Sequence, residues 1–426
     1  MPAASRLRDM LAATEVDLRL FGMLLALAVI LLAFNVLTGG TFFRPVNMIT
    51  LVVQAIPVAI LATGMVLVIV SRNIDLSVGS VVGFIAMTYA LVMTDLLPAL
   101  GIGADFPFRW LIALLIGVGL GALFGALQGF IIAYIGVPSF VVTLGGLLSI
   151  RGAVWYLSNG AAVTGVDPTF QLIGGGARGS IGETLTWALG IIGAVAVIGL
   201  LVNARRQRRR FGFAVRPIWA EVAIGVIGCA VMLGLAAFAN GNYLPPGLAT
   251  QYAQERGIAE PPGGLKVPVG FPLPVLLLVG VTVVMTWLAT RRRFGRYVYA
   301  YGGNPEAAEL AGINTRLTIL KTFVLMGVLA ALSAAVVAAR LNGATLDIGN
   351  SYELYVIAAA VVGGTSFAGG IGTIPGAVLG AFVMQALAYG LSFMGVNSPG
   401  QNVVAGIVLI VAVAFDTYNR RRGGGT

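Results

Sequence analysis

Histidine is absent from the chain, cysteine occurs once, at Cys229 in an apolar run, and lysine occurs twice, at Lys266 and Lys321. The first absence removes the commonest general base and the commonest metal ligand. A single thiol excludes disulfide frameworks and cysteine-based metal clusters. Neither lysine follows the glycine run of a G-x-x-x-x-G-K-[ST] phosphate loop, and HExxH, GxSxG and paired carboxylates on one helix face are missing as well. No catalytic residue, metal site or cofactor is therefore expected. Charge is scarce too. Charged residues make up 10% of the 426, against 58% hydrophobic, and the mean hydropathy of +0.96 lies outside the soluble range. The chain reads as an integral membrane protein.

Apolar runs near twenty residues, broken by Gly, Pro or charge, predict an all-α polytopic bundle of about 10–12 spans. They fall at about 20–37, 48–71, 76–97, 110–135, 139–157, 185–202, 218–240, 272–290, 319–341, 355–366, 375–393 and 402–418, the tenth being weak. The organisation expected from them is a cytoplasmic segment 1–19, a first transmembrane half 20–202, an inserted pair of elements 203–271, and a second half 272–426. An even number of spans puts both termini on one side. With the N-terminus inside, nineteen of the 26 basic residues fall in inside segments and five outside, the positive-inside pattern that puts both termini in the cytoplasm. The net charge of +10 is thus topological, and no nucleic-acid partner is expected.

Glycine recurs every four residues at Gly117, Gly121, Gly125 and Gly129, and again at Gly372, Gly376 and Gly380, which allows close helix contact within this subunit or with another. Two Gly/Ser-rich breaks, 71–80 and 363–373, each separate an inward-going from an outward-going span. Non-helical backbone at membrane depth is tolerated where protein or a watery cavity covers it, so the breaks are either parts of a translocation path or simple loops. Candidate path residues are Asn73, Asp75, Ser77, Gln128, Thr365, Ser366 and Gln385, with Asn159 a further polar candidate. The carboxylates Asp75, Asp95, Glu221, Asp347, Glu353 and Asp416 sit at span ends, which weakens an ion-coupled carrier without eliminating it. Arg151 lies within a span, facing a watery cavity or paired with a backbone carbonyl.

The longest polar interruption of the second half, 291–321, carries a short helix, Pro305 to Ala311. Asn304 is its N-cap, Pro305 its first residue, Glu306 sits in the first turn, and Gly312 is placed to stop it. Ala307, Leu310 and Ala311 share one face, Glu306 and Glu309 another. Isolated helices this short are marginal in water, so the segment is expected to dock on a partner.

Glu306-Ala307-Ala308, followed after three residues by Gly312, resembles the EAA loop of ABC-importer permeases. Together with IDLSVGS at 74–80, GGNPEAAELAGI at 302–313 and GGTSFAGGIGTIPGAVLGA at 363–381, it is similar to the monosaccharide-importer permeases for ribose, xylose, galactose and arabinose. VPSFVVTLGGLLSIRG at 137–152 and the inserted pair look most like the xylose branch. Arg72-Asn73 departs from the family's Gly-Gly, which leaves the turn geometry there open. The resemblance implies a permease that dimerises, couples to cytoplasmic ABC ATPase subunits through Asn304, Glu306, Ala307, Ala308, Leu310 and Gly312 in the coupling helix 304–312, and receives sugar from a periplasmic sugar-binding protein. An ion-coupled carrier, a non-transporting membrane scaffold or receptor, and a same-family importer for another small polar solute such as a branched-chain amino acid or nucleoside remain alternatives.

Overall fold

The computed structural model describes residues 18–255, 257 and 264–423. Most of the expected N-terminal segment 1–19, the loop residues Arg256 and Glu260, and the side chains of Arg420, Arg421 and Arg422 lie outside what it describes. Ten of its helices are long and apolar enough to cross a membrane, and two shorter apolar helices accompany them. In hydrocarbon a segment must satisfy its own backbone groups, and helices do so.

The order is α1 (Leu18–Leu37), α2 (Pro45–Val70), α3 (Val78–Ala99), α4 (Arg109–Ile135), α5 (Ser139–Ser158), α6 (Gly182–Arg210), α7 (Ile218–Asn240) and α8 (Leu273–Arg291). After the surface helices α9 (Arg293–Gly303) and α10 (Pro305–Leu310) come α11 (Thr315–Leu341), α12 (Tyr352–Val362), α13 (Ile374–Phe393) and α14 (Ser398–Gly423). The weak tenth span is the eleven-residue α12, half the length a crossing needs, and the last has an apolar stretch of only Ser398–Ala414. A two-residue antiparallel pairing joins β1 (Val163–Thr164) to β2 (Gly343–Ala344).

The chain forms two compact units. In the smaller, Ser180–Pro272 with flanking pieces, α6 and α7 run antiparallel: Gly190 approaches Ala236, the Cys229 thiol donates to the Ala194 carbonyl, and Arg205 pairs with Glu221. In the larger unit α2 and α11 are the most enclosed helices, with 89% and 78% of their apolar windows buried. The first glycine stripe faces α11 of the same chain. A Cβ on Gly121 would run into the Gly327 carbonyl oxygen, and one on Gly125 into that of Phe323. The second stripe does the same between α13 and α12, where Gly376 and Gly380 lie on the carbonyls of Gly363 and Ala359. Both stripes are therefore packing within one subunit. They allow backbone-to-backbone contact where Leu or Val would hold helices apart.

Candidate functional site

The segment 291–321 folds as its capping residues dictate. Asn304 Oδ1 accepts from the Ala307 amide at 3.0 Å, and Pro305 opens α10. Gly312, at φ +78°, stops it in the left-handed region, with Gly312 N–H bonding to Glu309 O at 2.9 Å and Ile313 N–H to Ala308 O at 3.1 Å. This is the paired closure of a Schellman end. The helix ends at Leu310, one residue earlier than its sequence suggests, because Ala311 serves as the cap. Asn314 then caps α11 through the Leu317 amide at 2.9 Å, and Thr315 Oγ1 donates to Glu309 Oε1 at 3.0 Å, tying the two helices together. Ala308 turns inward and is buried. Asn304, Glu306, Ala307, Ala311 and Gly312 face out, and Leu310 is 90% exposed. A leucine so bare on a six-residue helix leaves the apolar face uncovered by its own chain.

Immediately before α10, the end of α9 meets both breaks. Arg72 Nε donates to Gly302 O at 2.8 Å and its Nη2 to Gly303 O at 2.9 Å. Arg72 itself sits at φ +59°, in the left-handed region that glycine enters freely and other residues enter at a cost. The second break closes the junction: Gly370 N–H donates to Val70 O at 3.0 Å, and Tyr299 Oη donates to Gly372 O at 2.7 Å. Gly369 and Gly370 carry φ +87° and +73°, so the break turns through two consecutive left-handed residues. Burial pushes the Tyr299 hydroxyl up to about 12, which keeps it a donor at any ordinary pH. One lattice of backbone carbonyls thus joins α9, the 71–77 break and the 363–373 break.

Of the candidate path residues, Asp75, Ser77 and Gln128 are joined by hydrogen bonds, and Asn73 lies in the same break without a hydrogen bond to them. Asn73 Nδ2 bonds back to Ser71 O at 2.8 Å. Asp75 Oδ1 accepts from the Ser77 amide at 2.9 Å and from Ser77 Oγ at 2.7 Å, and Gln128 Nε2 donates to Ser77 Oγ at 2.9 Å. All four are buried. Asp75 and Gln128 line a void of about 10 Å³ with Phe323, Met326 and Gly327, room for one water and not for a sugar ring. Thr365 and Ser366 belong to the second break. Ser366 Oγ accepts from the Ala368 amide at 3.1 Å, while the fully buried Thr365 Oγ1 has no hydrogen-bond partner among the described residues. Gln385 is not part of this group; its Nε2 reaches Gln54 Oε1 at 3.5 Å. Asn159 caps α5 at φ +49°. Arg151 resolves to the carbonyl alternative, its Nη1 and Nη2 donating to Ile348 O and Gly349 O at 3.1 Å each.

The sequence reading singled out Arg72 for its turn but not for its contact with Gly302 and Gly303, and it missed Tyr299 altogether. The signal for Arg72 was a charged residue in a tight Gly/Ser-rich break; Tyr299 left none, because its partner is a backbone carbonyl 73 residues away.

Residues 47–413 match the family described as "Branched-chain amino acid transport system / permease component". The chain is 34% identical over 408 residues to the xylose transport system permease protein XylH of Escherichia coli (strain K12), covering 96% of this chain and 94% of that protein. It is 28% identical to the galactose/methyl galactoside import permease protein MglC of the same strain, over 92% and 93% of the two chains, and 29% identical to its ribose import permease protein RbsC, over 92% of each. No solved structure matches. A polytopic helical bundle with a short capped helix outside it, matched over nearly its whole length, belongs to this family of transport permeases of the inner membrane.

Proposed function

We propose that the chain is the membrane subunit of an ATP-driven ABC importer for a monosaccharide, xylose or a related sugar. The 96% coverage by the xylose relative supports that substrate class, with galactose and ribose permeases also similar. The chain lacks a nucleotide-binding loop of its own, and the nineteen-to-five distribution of basic residues supports placing α10 in the cytoplasm. There its bare face of Ala307, Leu310 and Ala311 fits a partner ATPase, while a periplasmic sugar-binding protein delivers substrate to the opposite side of a permease homodimer.

The observation that carries the mechanism is the junction at Gly302 and Gly303. Force on α10 reaches both breaks through Arg72 and Tyr299, over a span of two to six residues. The void at Asp75 and Gln128 is too small for sugar, so the route is shut at this level, and ATP-driven movement of α10 opens it. The test is Glu306→Lys and Gly312→Pro in the assembled importer. Both abolish sugar-stimulated ATP hydrolysis while leaving membrane insertion intact; full stimulation in both variants overturns the proposal.

The second reading, an ion-coupled carrier, is favoured by two carboxylates the fold encloses: Asp75 at 4% exposure, and Glu353, whose Oε2 is buried without a hydrogen-bond partner among the described residues. Purification with or without a copurifying ATPase separates the two.

A further inference from the structure

The smaller unit carries a feature separate from the junction at Gly302 and Gly303. Near the start of α7, the facing surfaces of α6 and α7 open into a groove of about 640 Å³. Its floor is apolar, with Ile198, Leu201, Val226 and Cys229, and its mouth holds Arg205, Arg206 and Arg209 beside Glu221. On α6 the floor and mouth residues follow i, i+3, i+7, i+8 and i+11 spacing, so they form one stripe about 17 Å long. Arg205 is committed to Glu221, the one ion pair among the described residues. Arg206 and Arg209 are exposed and have no carboxylate within ion-pair distance among them. The loop that joins the two helices exposes Phe211 and Phe213, and Trp219 opens α7 half-bare, as side chains do at the boundary between hydrocarbon and water. The two arginines therefore stand at headgroup depth above an apolar slot.

We propose that this groove binds one anionic phospholipid, its phosphate held between Arg206 and Arg209 and one acyl chain laid along Leu201 and Val226 toward Cys229. The guanidinium fork suits a phosphate diester, and two cations facing one neutralised by Glu221 leave the mouth net positive, which a zwitterionic headgroup does not complement. The site differs in kind from the general lipid annulus, which fits any bilayer lipid.

The full-length chain, purified in detergent, is titrated with phosphatidylglycerol or phosphatidylcholine, and retained lipid is counted by native mass spectrometry. One phosphatidylglycerol is expected per chain, held in preference to phosphatidylcholine and released as salt is raised. In the double variant Arg206→Gln/Arg209→Gln, retention weakens about thirty-fold, the equivalent of about 2 kcal/mol for two surface cations. Equal retention of the two lipids, or salt-independent retention by the unmodified chain, overturns the proposal and leaves annular lipid only. A dimer that excludes lipid overturns it also, assigning the groove to a second copy. The count requires no substrate or ATPase, so it stands or falls apart from the transport reading.

Discussion

Replacing Arg72 tests the junction, because two effects of opposite sign meet in that residue. Its guanidinium makes two charge-assisted hydrogen bonds to the Gly302 and Gly303 carbonyls, one partly buried and one exposed. Such bonds contribute about 1.5 kcal/mol when partly buried and less in water, about 2 kcal/mol together. Against this, a side chain at φ +59° costs about 1 kcal/mol relative to glycine. Arg72→Ala therefore loses the latch and keeps the strain, weakening the junction by about 2 kcal/mol, a shift of about thirty-fold in the latched fraction. Arg72→Gly loses the latch and relieves the strain, so its backbone turn stays formed while α9 is freed. Arg72→Lys keeps charge but reaches one carbonyl instead of two. The assay is sugar accumulated per ATP hydrolysed in vesicles holding the complete importer. Coupling falls in the order arginine, lysine, then glycine and alanine together, whereas protein yield falls most in alanine, which loses the latch and keeps the strain. Coupling equal to the parent in both Arg72→Ala and Arg72→Gly refutes the latch.

Three further outcomes follow from the same geometry. Tyr299→Phe orphans the Gly372 carbonyl and costs about 1–3 kcal/mol; midpoints of thermal inactivation of the purified protein report it. Because the Tyr299 hydroxyl is raised from 10.0 to about 12, its contribution is full below pH 10 and is lost as pH rises from there toward 12, so the parent–Phe difference is flat across neutral pH. Gly302→Ala puts a methyl group into the Val70 carbonyl and against the Gly370 amide at 2.6 Å, and the variant accumulates poorly in membranes, as fluorescence-detected size exclusion measures. Leu310→Glu, by contrast, changes a 90% exposed side chain; it leaves yield and stability unaltered and weakens ATPase capture at least tenfold, the cost of about 1.4 kcal/mol for one apolar anchor.

What could be read from the sequence was what local chemistry dictates. The caps Asn304 and Gly312 bound α10 because both act within four residues of themselves, and only its last position shifted, from Ala311 to Leu310. Apolar length located the spans, and the run 355–366, the weak one, is the eleven-residue α12, which begins three residues earlier at Tyr352 and stops at Val362, before Gly363 and Gly364. Face assignment was legible only in part: Ala307, Leu310 and Ala311 are exposed, as are Glu306 and Glu309, and nothing in six residues marks Ala308 as the inward one. The glycine stripes announced close contact, but the choice between α11 and another subunit depends on tertiary packing alone. Arg72 reaching Gly302 across 230 residues, and Gln128 reaching Ser77 across 51, leave no periodic trace, which is why the path candidates formed a set whose grouping only the fold supplies.

The central claim, that ATP hydrolysis by a partner drives sugar through this chain, is tested most directly in sealed vesicles containing the permease, its ATPase and the external binding protein, with radiolabelled xylose outside. Accumulation that requires ATP on the α10 side and proceeds with no ion gradient is the predicted result. Accumulation driven by a proton or sodium gradient without ATP contradicts it.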